Sequence, residues 1–145
     1  MQQFAVVVKE IRTFLTSFKI VRLLQPYQLH ILFGALGLLF LEELLLQFVN
    51  SFDGINAMYT IFYDIPLHLI AFYGFYVGAW LTLIGGGIKY LPYGLWGYAF
   101  LALFPFESLT LFPIVQAAIY AVGGYFVFRY VQTSIGKSDT TSLNA

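Results

Sequence analysis

Residues 58–87, MYTIFYDIPLHLIAFYGFYVGAWLTLIGGG, form an almost wholly apolar run of 30 residues. That is too long for a helix in a water-soluble core, and a bilayer needs only about 20 residues to be crossed. The run nevertheless carries Asp64, Pro66 and His68 in its first third. A charged side chain at the bilayer centre costs roughly 2.5–3.5 kcal/mol on insertion scales, so these groups need partners. On a helix Thr60, Asp64, His68, Ala71, Gly74, Gly78, Thr82 and Gly85 follow at steps of three and four. They make one small and polar face, with bulky residues elsewhere, and that face should meet other helices and not lipid.

Composition extends this to the whole chain. Of its 145 residues, 60% are hydrophobic and only 10% charged, against about 25% charged in soluble domains. Such a chain cannot cover a water-facing surface, so the expected class is an all-α integral membrane protein whose first partner is the lipid bilayer. The seven basic and seven acidic residues cancel, and no nucleic-acid partner is expected. With no cysteine and only two histidines, disulfides, thiol chemistry and a His-rich metal centre within one chain are excluded.

Residues 1–25 read as a basic amphipathic helix. Phe4, Val7, Val8, Ile11, Phe14, Leu15 and Phe18 recur at helical spacing, with Lys9, Arg12, Thr16 and Lys19 on the other side. Lying on the membrane surface suits that pattern. A secretory signal and a cytosolic helix that touches a partner are the competing readings. Gln25–Pro26 should end it. A transmembrane domain is expected over 26–132, with four spans at about 29–49, 57–84, 90–104 and 110–131. Pro66 should kink the second, Ser108 should cap the fourth, and 133–145 should be a disordered cytoplasmic tail. With four spans, Lys9, Arg12, Lys19, Arg22, Lys89, Arg129 and Lys137 all fall on one side, and Asp53 and Glu107 on the other. The positive-inside rule then puts both termini in the cytoplasm, in a plasma or inner membrane. Tyr27, Trp80, Tyr90, Tyr93, Trp96, Tyr125 and Tyr130 gather towards the same boundary, as an aromatic belt does.

Residue counts also set depths, at 1.5 Å per helical residue. Glu42 and Glu43 lie about 10 Å below the outer end of the first span, Asp64 about as deep in the second, and His68 about 6 Å deeper. Glu43, Gln47 and Asn50 share a face, with Glu42 turned away by about 100°, so Glu43 is favoured over Glu42 as the partner of Asp64. No lysine or arginine lies at this depth. Three buried carboxylates without a base cannot all stay ionised in a low dielectric. They must be protonated, hydrated through a cavity, or neutralised from outside by a proton, a metal ion or an organic cation. Glu43, Asp64 and His68 form a ligand set that suits a divalent transition metal, and a proton relay equally. Gln116 and Tyr120 on the fourth helix complete the pocket from a third side. The plainer reading is that the acids snorkel, or hydrogen-bond a neighbouring carbonyl as structural glue. His30 reads as an interfacial histidine, and its depth excludes a paired haem site with His68.

Ala71, Gly74 and Gly78 let a second helix approach closely, either within the chain or in a homo-oligomer. No GxSxG, HExxH or phosphate loop is present, so no catalytic residue is assigned and the reading leans away from an enzyme. Three functions stay open. One is binding or movement of a proton, metal ion or organic cation at the carboxylate pocket, in a transporter or sensor. A second is a non-catalytic accessory or regulatory subunit of a larger membrane complex. The third is a membrane-embedded lipid-modifying enzyme with an acid pair as general acid and base.

Overall fold

A computed structural model describes residues 2–15, 17–49, 52–104, 106 and 110–142. Among them the regular structure is helical throughout: α1 (Gln2–Leu15), α2 (Lys19–Leu24), α3 (Gln28–Phe48), α4 (Phe52–Tyr59), α5 (Leu67–Ile84), α6 (Leu91–Leu101) and α7 (Leu111–Ser142). Among the described residues three stretches are long and apolar enough to cross a membrane: Lys19–Phe48, Leu67–Ile84 and Leu111–Thr133.

The N-terminal segment is two helices and not one. Ser17 closes a turn on the Phe14 carbonyl (N···O 3.2 Å), and Phe18 is extended, so α1 stops before α2 begins. Gln25–Pro26 does not end the run as expected. Pro26 sits in the first turn of a single 3-10 turn, Gln25–Tyr27, that links α2 to α3. A helix's first turn has unpaired N–H groups in any case, so a proline without one costs little there. The first membrane stretch therefore starts at Lys19, ten residues earlier than expected.

The second stretch departs further. The chain between Tyr59 and Leu67 widens into a π-helical turn, Thr60–Asp64, marked by the Ile65 N–H donating to the Thr60 carbonyl at 3.0 Å. Pro66 then precedes α5, whose 18 residues span about 27 Å. The span over 57–84, expected to kink at Pro66, is thus α4, a π turn and α5, with the break at Ile65 and Pro66. Each wide turn shifts the angular register, so Thr60 and Asp64 leave the face that His68 begins and stand exposed.

α3 and α5 form the central antiparallel pair, with Leu32, Ala35, Leu39, Ala71 and Phe75 buried between them and against Tyr98 of α6. The small-residue face serves this contact. A Cβ on Gly78 would lie 2.6 Å from the Leu32 Cα and backbone nitrogen, and one on Gly74 would lie 3.3 Å from the Ala35 Cβ. Thr82, fully buried, turns its hydroxyl back to the Gly78 carbonyl at 2.6 Å. The turn after α5 needs Gly86, whose φ is 90°.

α6 corrects the third expected span. It has 11 residues, about 17 Å, and the chain unwinds through 102–104 with Phe104 N–H bonded to Phe100 and Leu101 carbonyls. Its sequence has glycines at 94 and 97, which favour close packing over helix length. Those glycines press on Leu32 and Leu36, while Trp96 donates to the Ala121 carbonyl of α7 at 3.2 Å. α7 runs on through Ser142, so 134–142, expected as disordered tail, continue the helix. Once nucleated, a helix propagates through polar residues at small cost, and no proline stops it here. The expected cap Ser108, and Glu107, Asn50 and Thr16, lie outside the described residues.

Candidate functional site

The short α6 opens a cavity. Its end meets α3 at the Phe40–Phe104 ring pair, with centroids 5.6 Å apart, and Glu42 stands two residues further along α3. α3, α5, α6 and α7 enclose a space of about 260 Å³, with Tyr98 and Leu101 of α6, and Ala102 and Phe104 of the turn after it, in the wall. Its walls include Glu42, Glu43, His68, Phe72, Tyr98 and Gln116.

Glu42 is the buried acid, 3% exposed. His68 lies at the matching level of the antiparallel α5, and its Nδ1 is 2.8 Å from a Glu42 carboxylate oxygen. With Glu42 ionised, Nδ1 carries the hydrogen of that bond, leaving Nε2 to hold a second proton or to accept. The imidazole is fixed from both sides. Tyr63 stacks on it with centroids 5.4 Å apart and planes 18° apart, and Phe72 lies beyond at 6.4 Å and 16°. The Tyr63 hydroxyl also approaches Glu42, because the π turn swings residue 63 back over the carboxylate. A buried carboxyl group held by a histidine that two rings stack on is oriented and not free to snorkel.

A hydroxyl cluster runs inward from the cavity wall. Gln116 and Tyr76 lie within reach of the Tyr98 hydroxyl, and the Tyr76 and Tyr120 hydroxyls are 2.6 Å apart. Rings stack around them, Phe75 on Tyr98 at 4.5 Å and Tyr98 beside Tyr120 at 4.6 Å. Below this level Leu32, Leu81, Leu91 and Pro92 are buried, with Thr82 the buried polar side chain beside them.

The expected site residues divide accordingly. Glu42, Glu43, His68 and Gln116 come together in the cavity wall. Tyr120 joins through Tyr76, one layer down. Asp64 and Gln47 are exposed and lie outside the described lining. The expected pairing of Glu43 with Asp64 does not form, because Asp64 turns outward; Glu42 bonds His68, and Glu43, exposed, stands beside them at the rim. The metal set Glu43, Asp64 and His68 does not assemble, and no three His, Asp or Glu among the described residues are placed to hold a metal ion. Sequence reasoning passed over Tyr63, Phe72, Tyr76 and Tyr98. Spacing alone had the signal for two of them, since His68, Phe72 and Tyr76 follow at i, i+4 and i+8.

No protein family matches the chain, and no curated protein or solved structure is significantly similar to it.

Proposed function

We propose that the protein is a small polytopic membrane protein that binds a cation, in exchange with protons, at the Glu42–His68 pocket. The observation that carries this reading is a carboxylate 3% exposed, bonded to a clamped histidine, in the wall of an open cavity. The cavity wall has no lysine or arginine among the described residues to neutralise the second acid, Glu43. The site is thus a receptor for positive charge.

The reading includes an orientation. α6 with its flanking turns makes the third of four crossings, a shortened one, both termini face the cytoplasm, and the pocket opens towards the outer leaflet of a plasma or inner membrane. The placement of all seven basic residues on one side of such a topology supports it. The packed layer of Leu32, Leu81 and Leu91 favours a binding or sensing role for the single chain. A path across the membrane would run between subunits. The surface for a second copy, or for a larger complex, is the outer face of α7, where only 11% of the spanning window is buried.

The test is thermal stability of the purified protein across pH and a panel of alkali, divalent and organic cations, beside Glu42→Gln and Glu43→Gln. The proposal expects saturable stabilisation by a cation that depends on pH and is lost or weakened in the variants. Indifference to every cation and to pH, with variants as stable as the parent, refutes it and leaves the accessory-subunit reading.

A further inference from the structure

We infer that the pocket selects a small primary ammonium carrying a short alkyl chain or a single ring; this rests on the cation-binding reading above. Charge sets the valence. His68 is the one lining residue that can become positive, and its bond goes to Glu42 at 2.8 Å. Glu43 remains as a single uncompensated carboxylate, which matches one positive charge. Glu42 and Glu43 are consecutive on α3, so their side chains diverge by about 100° and do not close on one metal ion. A divalent ion would need several convergent oxygens.

The walls set the chemistry. Phe72, Tyr98 and Phe104 line the same space as the two acids. Aromatic faces attract an ammonium within about 6 Å, and most strongly one that sheds its water. An alkali ion, strongly hydrated, gains little from apolar rings, whereas an organic ammonium places its carbon skeleton against them. Acceptors set the degree of substitution. The Glu43 carboxylate and the Gln116 amide, whose N–H side is turned to the Tyr98 hydroxyl, bring acceptor oxygens to the wall. A primary ammonium has three N–H donors to meet them, and a quaternary one has none. Volume sets the size. The 260 Å³ space exceeds the roughly 150 Å³ that holds a benzene ring, and falls below the roughly 300–1,000 Å³ of pockets for drug-sized ligands.

The experiment is titration of the full chain, in lipid nanodiscs, with benzylammonium, tetramethylammonium, benzyl alcohol, sodium and manganese(II), read by thermal stability and calorimetry. Saturable binding of benzylammonium is expected, with benzyl alcohol, which lacks the charge, and tetramethylammonium, which lacks every N–H donor, each weaker by about tenfold or more, the loss of at least one charged hydrogen bond. Glu43→Gln, at an exposed position, should fold normally and weaken benzylammonium by a similar factor. Phe72→Leu should weaken it severalfold. Benzyl alcohol binding as tightly as benzylammonium overturns the inference, and so does equal affinity for tetramethylammonium. If sodium or manganese binds saturably and benzylammonium does not, the ligand class is wrong while the cation site stands. If nothing binds, both readings fall.

Discussion

Gly78→Ala puts one methyl group where α3 and α5 touch. The added Cβ would meet the Leu32 Cα and backbone nitrogen at 2.6 Å and its Cβ at 3.0 Å. Ordinary contact begins near 3.6 Å, so the helices must part by about 1 Å or tilt. The obstructing atoms are backbone, which cannot swing aside as a side chain does. Overpacking a fitted core costs about 1–3 kcal/mol, while alanine in place of a helix-interior glycine returns roughly 0.5–1 kcal/mol. The net expectation is a loss of about 1–2 kcal/mol. Gly123→Ala in α7 is the control, because a Cβ there meets nothing within 4 Å. That variant should be neutral or up to about 1 kcal/mol more stable. Reversible unfolding of both variants in mixed micelles, by circular dichroism against denaturing detergent, measures the difference. A Gly78→Ala protein as stable as Gly123→Ala refutes the tight α3–α5 crossing, and with it the register that brings His68 to Glu42.

The hydroxyl pair below the cavity makes a second prediction: Tyr120→Phe leaves the Tyr76 hydroxyl without its 2.6 Å partner and should cost about 1 kcal/mol. Tyr76→Phe with Tyr120→Phe should cost less than the sum of the single changes by about the same amount, in a double-mutant cycle of unfolding free energies. The orientation is testable because the chain has no cysteine. Single cysteines at Gly54, Lys89 and Phe106 should divide, with Gly54 and Phe106 labelled by an impermeant maleimide on intact cells and Lys89 only after permeabilisation. Labelling of Lys89 and Phe106 from the same side would show that α6 does not cross.

Helical class and membrane character were plain in the sequence because each rests on long averages: few charges, long apolar runs, small residues at helical spacing. Ala71, Gly74 and Gly78 were legible for the same reason, and they do pack on α3. Single-residue geometry was not. The choice between Glu42 and Glu43 assumed Asp64 as the partner, and a regular helix through Asp64 and His68. The π turn over Thr60–Asp64 breaks that regularity, and no residue pattern announces a wide turn. Asp64 therefore turns outward, the level of His68 becomes the meeting point, and the acid that faces α5 there is Glu42. The third span failed on length. Residues 90–104 are apolar enough to look like a crossing, but the helix within them has 11 residues and the chain unwinds at 102–104.

That short helix explains why a pocket exists in so small a protein. Four helices of equal length would close over Glu42 and His68 and leave a buried ion pair. Such a pair seldom gains in Coulomb attraction what it loses in desolvation. Because α6 stops at Leu101, the pair faces an open space at one end and the bulk of the bundle at the other. Glu42 is buried, but its partner His68 is 36% exposed at the side chain, and Glu43 reaches the rim. Lengthening α6 tests this directly. Two inserted alanine turns after Leu101, eight residues or about 12 Å, would carry the helix past the level of Glu42 and fill the cavity. The variant should lose cation stabilisation completely while keeping its helical content. Retention of cation binding would show that the ligand sits elsewhere, and that the gap above α6 is a packing defect without a function.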